Sequence, residues 1–71
     1  MNKPRRVHLY TDKQNLWRWR LVATNGKTVA ESGEGYDNYL DCLGMVWALH
    51  GERVQYETDG QLIDPRLVLD E

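Results

Sequence analysis

One cysteine, Cys42, is all the 71-residue sequence offers for cross-linking, so no disulfide can form within the chain. With only His8 and His50 to join it, and those far apart, Cys42 is also a poor basis for a zinc site. No apolar run approaches the roughly 20 residues of a membrane span, and no linker, low-complexity stretch or internal repeat is evident. Catalytic vocabulary is equally thin. There is no His-Glu-x-x-His, no Glu-x-x-His, no Asp-x-Asp-x-Asp and no phosphate-binding glycine loop. Cys42 and His50 sit on what reads as one helix, more than about 10 Å apart at its rise per residue, too far for a nucleophile and its base. No enzyme, cofactor or metal is expected, and Cys42 reads as a core residue.

A chain this short buries only about 60% of the surface its unfolded form exposes. Small domains compensate with disulfides, a metal or a partner subunit, and here only the partner remains. Nine basic against eleven acidic residues give a net charge of −2. That balance argues against a whole surface built to neutralise phosphates, while a local basic patch stays open. The N-terminus, Met1-Asn2-Lys3-Pro4-Arg5-Arg6, is polar with no apolar stretch of signal-peptide length behind it, and a cytoplasmic protein is expected.

What the sequence does hold is patterning. Arg6-Val7-His8-Leu9-Tyr10-Thr11 alternates like a strand and is closed by the polar Asp12-Lys13-Gln14-Asn15. From Leu16 to Thr24, Trp17, Trp19, Leu21 and Ala23 fall on one face and Arg18, Arg20, Val22 and Thr24 on the other. Asn25-Gly26 follows, the dipeptide favoured in a two-residue type I′ hairpin turn. That turn sets Val22 opposite Val29, Leu21 opposite Ala30, Arg20 opposite Glu31 and Trp19 opposite Ser32. Ser32-Gly33-Glu34-Gly35-Tyr36 then lets the chain leave the sheet. Asp37 or Asn38 can cap a helix that runs to His50, with Tyr39, Cys42, Leu43, Val46 and Leu49 at helical spacing and Gly51 as its stop. Arg53 to Thr58, Asp59-Gly60 and Gln61-Leu62-Ile63 suggest another hairpin, and Arg66-Leu67-Val68-Leu69 an ordered arm or a frayed tail. The expected class is α+β: a three-stranded antiparallel sheet followed by one packed helix, with a C-terminal strand or hairpin extension.

The run Tyr10-Thr11-Asp12-Lys13 through Trp17-Arg18-Trp19-Arg20-Leu21, then Asn25-Gly26, Ser32-Gly33-Glu34-Gly35-Tyr36 and Cys42-Leu43 resembles the YegP-like family, the DUF1508 domain. The resemblance spans about residues 6–50. It implies three antiparallel strands and a helix, occurring as tandem copies or as a single copy that pairs with itself, and no established activity to carry over. On that basis residues 1–5 are expected to be flexible, 6–50 to form the domain and 51–71 to be an extension particular to this chain. The family helix is usually polar outside, and Leu40, Met45 and Trp47 depart from that pattern.

Two surfaces stand out. Leu40, Leu43 and Trp47 form a second apolar stripe on the helix that one sheet cannot cover, which points to a protein or homodimer interface. Gly44 beside it suggests a close backbone approach. Arg5, Arg6, Arg18 and Arg20, with Trp17 as a stacking platform, are the candidates for contact with nucleic acid or a nucleotide, although strand alternation sets tryptophans and arginines on opposite faces. The leading expectation is a non-enzymatic, homodimeric interaction module. Its narrower version is a mobile-element inhibitor that occludes a host nucleoprotein complex such as a CRISPR effector, the acidic C-terminal third imitating nucleic acid.

Overall fold

Alternating side chains build the sheet, and apolar residues spaced at three and four build the helix that covers it. The computed structural model describes residues 5–69, so the N-terminal flexibility expected for residues 1–5 falls, apart from Arg5, outside the described residues, as do Asp70 and Glu71. In order come β1 (Arg6–Thr11), β2 (Trp17–Val22), β3 (Thr28–Glu31), α1 (Tyr39–His50), a 3-10 turn (Gly51–Arg53), β4 (Gln55–Thr58), β5 (Gln61–Ile63) and α2 (Pro65–Val68).

The strands form one five-stranded sheet ordered β3-β2-β1-β4-β5. The α+β class is as expected, but the sheet is wider and mixed. β1, β2 and β3 are antiparallel, and the C-terminal hairpin continues them by laying β4 parallel to β1, with Val7 opposite Tyr56 and Leu9 opposite Thr58. Without β4, one side of β1 would be a row of unpaired backbone groups, and α1 returns the chain to the end of the sheet from which a parallel strand can start.

The turns exchange roles relative to expectation. Gly26 N donates to Ala23 O at 2.9 Å and Ala23 N to Lys27 O at 2.8 Å, and only Gly26 of the Asn25-Gly26 pair has a positive φ, 88°. This is a three-residue loop with glycine in the left-handed region, not a type I′ turn. The extra loop residue is absorbed by a bulge: Val22 faces Thr28 instead of Val29, Val29 has no opposite number, and the expected pairs Leu21 with Ala30 and Arg20 with Glu31 are recovered beyond it. At the other hairpin Asp59 and Gly60 both have positive φ, 54° and 83°, and make the primed turn there.

Asn38 caps α1, its side chain accepting from Leu40 N at 2.8 Å, and Gly51 ends the helix at φ 58°. Val7, Leu9, Trp19 and Leu21 of the sheet, Cys42, Leu43 and Val46 of α1, and Tyr56 of β4 form the buried core. Leu49 does not join them. It is 58% exposed, because α1 packs chiefly over β2 and its far flank overhangs β3. The Tyr56 hydroxyl donates to Gly51 O at 2.9 Å, and burial pushes its pKa up to about 12. Residues 65–68, read as an arm or a tail, form a helical turn capped by Asp64, and Leu69 packs on the core. Among the described residues no helix is long and apolar enough to cross a membrane.

Candidate functional site

The open face of the sheet carries the arginines, and nearly all of them are engaged. Arg6 bonds Glu57 at 3.3 Å and Gln55 at 3.4 Å, and His8 Nδ1 lies 3.5 Å from the same Glu57 carboxylate. Arg18 pairs with Asp12, whose carboxylate also accepts from the backbone of Gln14 and Leu16. The Arg18 guanidinium, and then the Leu16 amide, hold the Asp12 carboxyl below its usual value. Arg20 lies over the Tyr10 ring, 4.7 Å from its centre, with Glu31 opposite it across the ladder. Arg5 is exposed and its carbonyl accepts from Gln55 N.

Trp17 is not with them. Alternation turns it to the helix-covered face, where its ring meets Tyr39 edge-on at 4.8 Å. The stacking platform is thus divided from the arginines by the sheet itself, and the proposed nucleic-acid contact set does not assemble on one surface. Three acidic residues of the C-terminal third are engaged: Glu57 as above, and Glu52 and Asp64 with Arg66 at 3.2 and 3.3 Å. Exposed pairs of this kind add little to stability, but they leave little unmatched charge for a ligand.

On α1 the expected stripe of Leu40, Leu43 and Trp47 is split. Leu43 is fully buried in the core, since it lies on the flank that faces the sheet. Leu40 is 48% exposed, and Trp47 is half-buried with its ring 5.7 Å from that of Tyr56. Gly44 has open space where a Cβ would stand, so among the described residues no other element approaches it closely. α2 packs beside α1 and adds the exposed Leu67 and Val68. Two depressions flank the helix. One of about 280 Å³ lies between Trp47, Ile63 and Pro65 with Arg66 and Glu52 at its rim, and one of about 510 Å³ lies between Met45, Leu49 and β3.

The thiol of Cys42 is fully buried and burial pushes its pKa up to about 11, which removes the thiolate at neutral pH. His50 packs edge-on against Trp19 at 5.6 Å. Among the described residues no group of three His, Cys, Asp or Glu side chains could hold a metal ion.

The model of a domain of unknown function, DUF1508, matches residues 12–44. A UPF0339 protein of Treponema denticola is 39% identical over 41 residues, which are 58% of this chain and 69% of that protein. The chain belongs to the DUF1508 family. No solved structure matches it. The DUF1508 segment carries β2, β3 and the first half of α1, so it includes Trp17, Arg18 and Arg20, Leu40 and the rim of the larger depression. One further requirement of the family segment escaped the sequence reading. A Cβ on Gly35 would stand 2.6 Å from that of Leu16, at the point where Trp17 and Tyr36 exchange backbone hydrogen bonds. Only a glycine lets the strand end close there.

Proposed function

We propose that the chain is a non-enzymatic, cytoplasmic interaction module that pairs with a second copy of itself through the outer surface of α1 and α2. One observation carries the reading: α1 has no polar face. Asp41 and His50 are its only acidic or basic residues, and its outward positions include Leu40, Gly44, Trp47 and Ala48. A helix apolar on all sides is normally covered on all sides, and in this chain the sheet covers one. Leu67, 78% exposed, and Val68 widen the apolar area next to it. Open space at Gly44 leaves room for another helix backbone to come close. The buried, unpaired Cys42 agrees with a reducing compartment.

Nucleic-acid binding is the weaker reading, because Arg6 and Arg18 already hold carboxylates and Trp17 faces the other way. Occlusion of a host nucleoprotein complex rested on free acidic groups at the C-terminal end. Glu52, Glu57 and Asp64 are paired, which leaves Asp59 as the one acid without an ion pair among the described residues of that end, and Asp70 and Glu71 lie outside the described residues.

Sedimentation velocity tests the pairing. A dimer is expected for the wild type at tens of micromolar, about the range in which small homodimers assemble, and a monomer for the Leu40→Glu and Leu67→Glu double variant with unchanged circular dichroism. A wild-type monomer at that concentration overturns the proposal.

A further inference from the structure

The loop that joins β2 to β3 carries a chemically reactive dipeptide. Asparagine is thermolabile because the backbone nitrogen that follows it can attack its side-chain carbonyl carbon and close a five-membered succinimide. A side chain on the following residue shields that nitrogen, and glycine has none. Of the asparagines among the described residues, Asn15 is followed by Leu16 and Asn38 by Tyr39, whereas Asn25 is followed by Gly26. Asn25 and Gly26 are both exposed, and open space lies where a Cβ on Gly26 would stand. At Asn15 the attacking nitrogen is engaged as well, since Leu16 N donates to the Asp12 carboxylate at 3.0 Å. Asn38 is held by its cap, its Oδ1 accepting from Leu40 N at 2.8 Å.

The loop geometry sets one contact for the reaction and one against it. Lys27 N donates to Asn25 Oδ1 at 3.0 Å, which holds the side chain against its own main chain. That amide also polarises the carbonyl and stands where negative charge would gather on Oδ1 as Cγ is attacked. Gly26 N, in contrast, donates to Ala23 O at 2.9 Å. The nitrogen becomes a nucleophile only once that hydrogen bond opens and the proton is lost to solvent.

We infer that Asn25 is a site of spontaneous deamidation in the folded protein, at a rate set by opening of the hydrogen bond between Gly26 and Ala23. Hydroxide takes the Gly26 amide proton and the nitrogen bonds to Asn25 Cγ. The Cγ–Nδ2 bond breaks, and Nδ2 leaves as ammonia with a proton taken from water. A second water opens the ring. Cleavage of the new Cγ–N bond leaves aspartate, and cleavage at the main-chain carbonyl leaves isoaspartate, with the chain rerouted through the former side chain. Nothing is oxidised or reduced. The aspartate product keeps an oxygen for Lys27 N. The isoaspartate product adds an atom to the main chain of a loop whose surplus residue is already absorbed by the bulge at Val29, and it loosens β3, which pairs with β2 alone.

The test is incubation of the folded protein at mildly alkaline pH, followed by trypsin digestion. The peptide Leu21–Lys27 contains Asn25 as its single asparagine. It should gain acidic forms with time, faster as the pH rises, and one of them should be a substrate for an isoaspartyl methyltransferase. In guanidinium chloride the rate should rise at least about twofold, because the protecting hydrogen bond is then lost. Asn25→Asp should keep the wild-type denaturation midpoint, and the purified isoaspartate form should unfold at lower denaturant. The inference is overturned if Asn25 stays intact, if Asn15 or Asn38 converts first, if denaturant leaves the rate unchanged or lowers it, or if the isoaspartate form is as stable as Asn25→Asp.

Discussion

The two faces of the sheet are held by different physics. The covered face buries Val7, Leu9, Trp19, Leu21 and Tyr56 against Cys42, Leu43 and Val46, with no buried side-chain polar atom unsatisfied. The open face is a set of charge pairs, Arg6 with Glu57 and Arg18 with Asp12, at side-chain exposures from 13% to 47%. Burial of apolar area is strong and insensitive to salt, whereas partly exposed pairs are weak and screened. The difference teaches that the arginines of β2, conspicuous in the sequence, decorate a domain whose stability comes from the other side.

The contrast can be broken most severely from the covered side. Leu43→Ala should cost about 2–5 kcal/mol by chemical denaturation, a large part of what a domain this small possesses. A loss below about 1 kcal/mol would mean that the core under α1 is loosely packed, and the contrast between faces would fall. Gly35→Ala tests the seam where β2 closes on Tyr36. Its Cβ would meet Leu16, and a loss of about 1–3 kcal/mol is expected from the forced shift. The smallest effect belongs to the open face. Asp12 has a lowered folded pKa, chiefly through Arg18, so its pairing contributes fully above the unfolded carboxylate value of about 3.9 and is lost as the pH falls through the lower folded value. The stability advantage of the wild type over Asp12→Asn should therefore shrink to nothing on acidification, and vanish sooner in high salt. An advantage that persists at pH values below the folded pKa would show that Asp12 acts through turn capping alone.

Local chemistry made much of the molecule legible. Two-residue alternation identified β1 and β2 and their faces, and Asn38, Gly51 and the helical spacing gave α1 nearly to the residue. The pairing of Arg20 with Glu31 also follows from counting, although the route differs: one residue added to the loop is cancelled by one bulged at Val29. Two offsetting irregularities leave no trace in a periodic pattern. Which strand β4 would join was not legible, because parallel pairing with β1 depends on where α1 delivers the chain. Of the candidate sites, Leu43 was misplaced because a helix without a polar face gives no sign of which flank meets the sheet. The groove over β3 was half visible, since Ser32 opposite Trp19 announced missing volume, and the helix settled beside that space rather than in it.

The position of β1 has a kinetic consequence. Arg6 pairs with Gln55 and Leu9 with Thr58, so the middle strand of the sheet waits for a partner made only after β2, β3 and α1. Such long-range parallel contacts are slow to form. Until residue 58 has left the ribosome, Val7 and Leu9 sit on an open edge and the core lacks Tyr56. The nascent chain therefore passes through an interval in which its central strand is the surface most in need of protection.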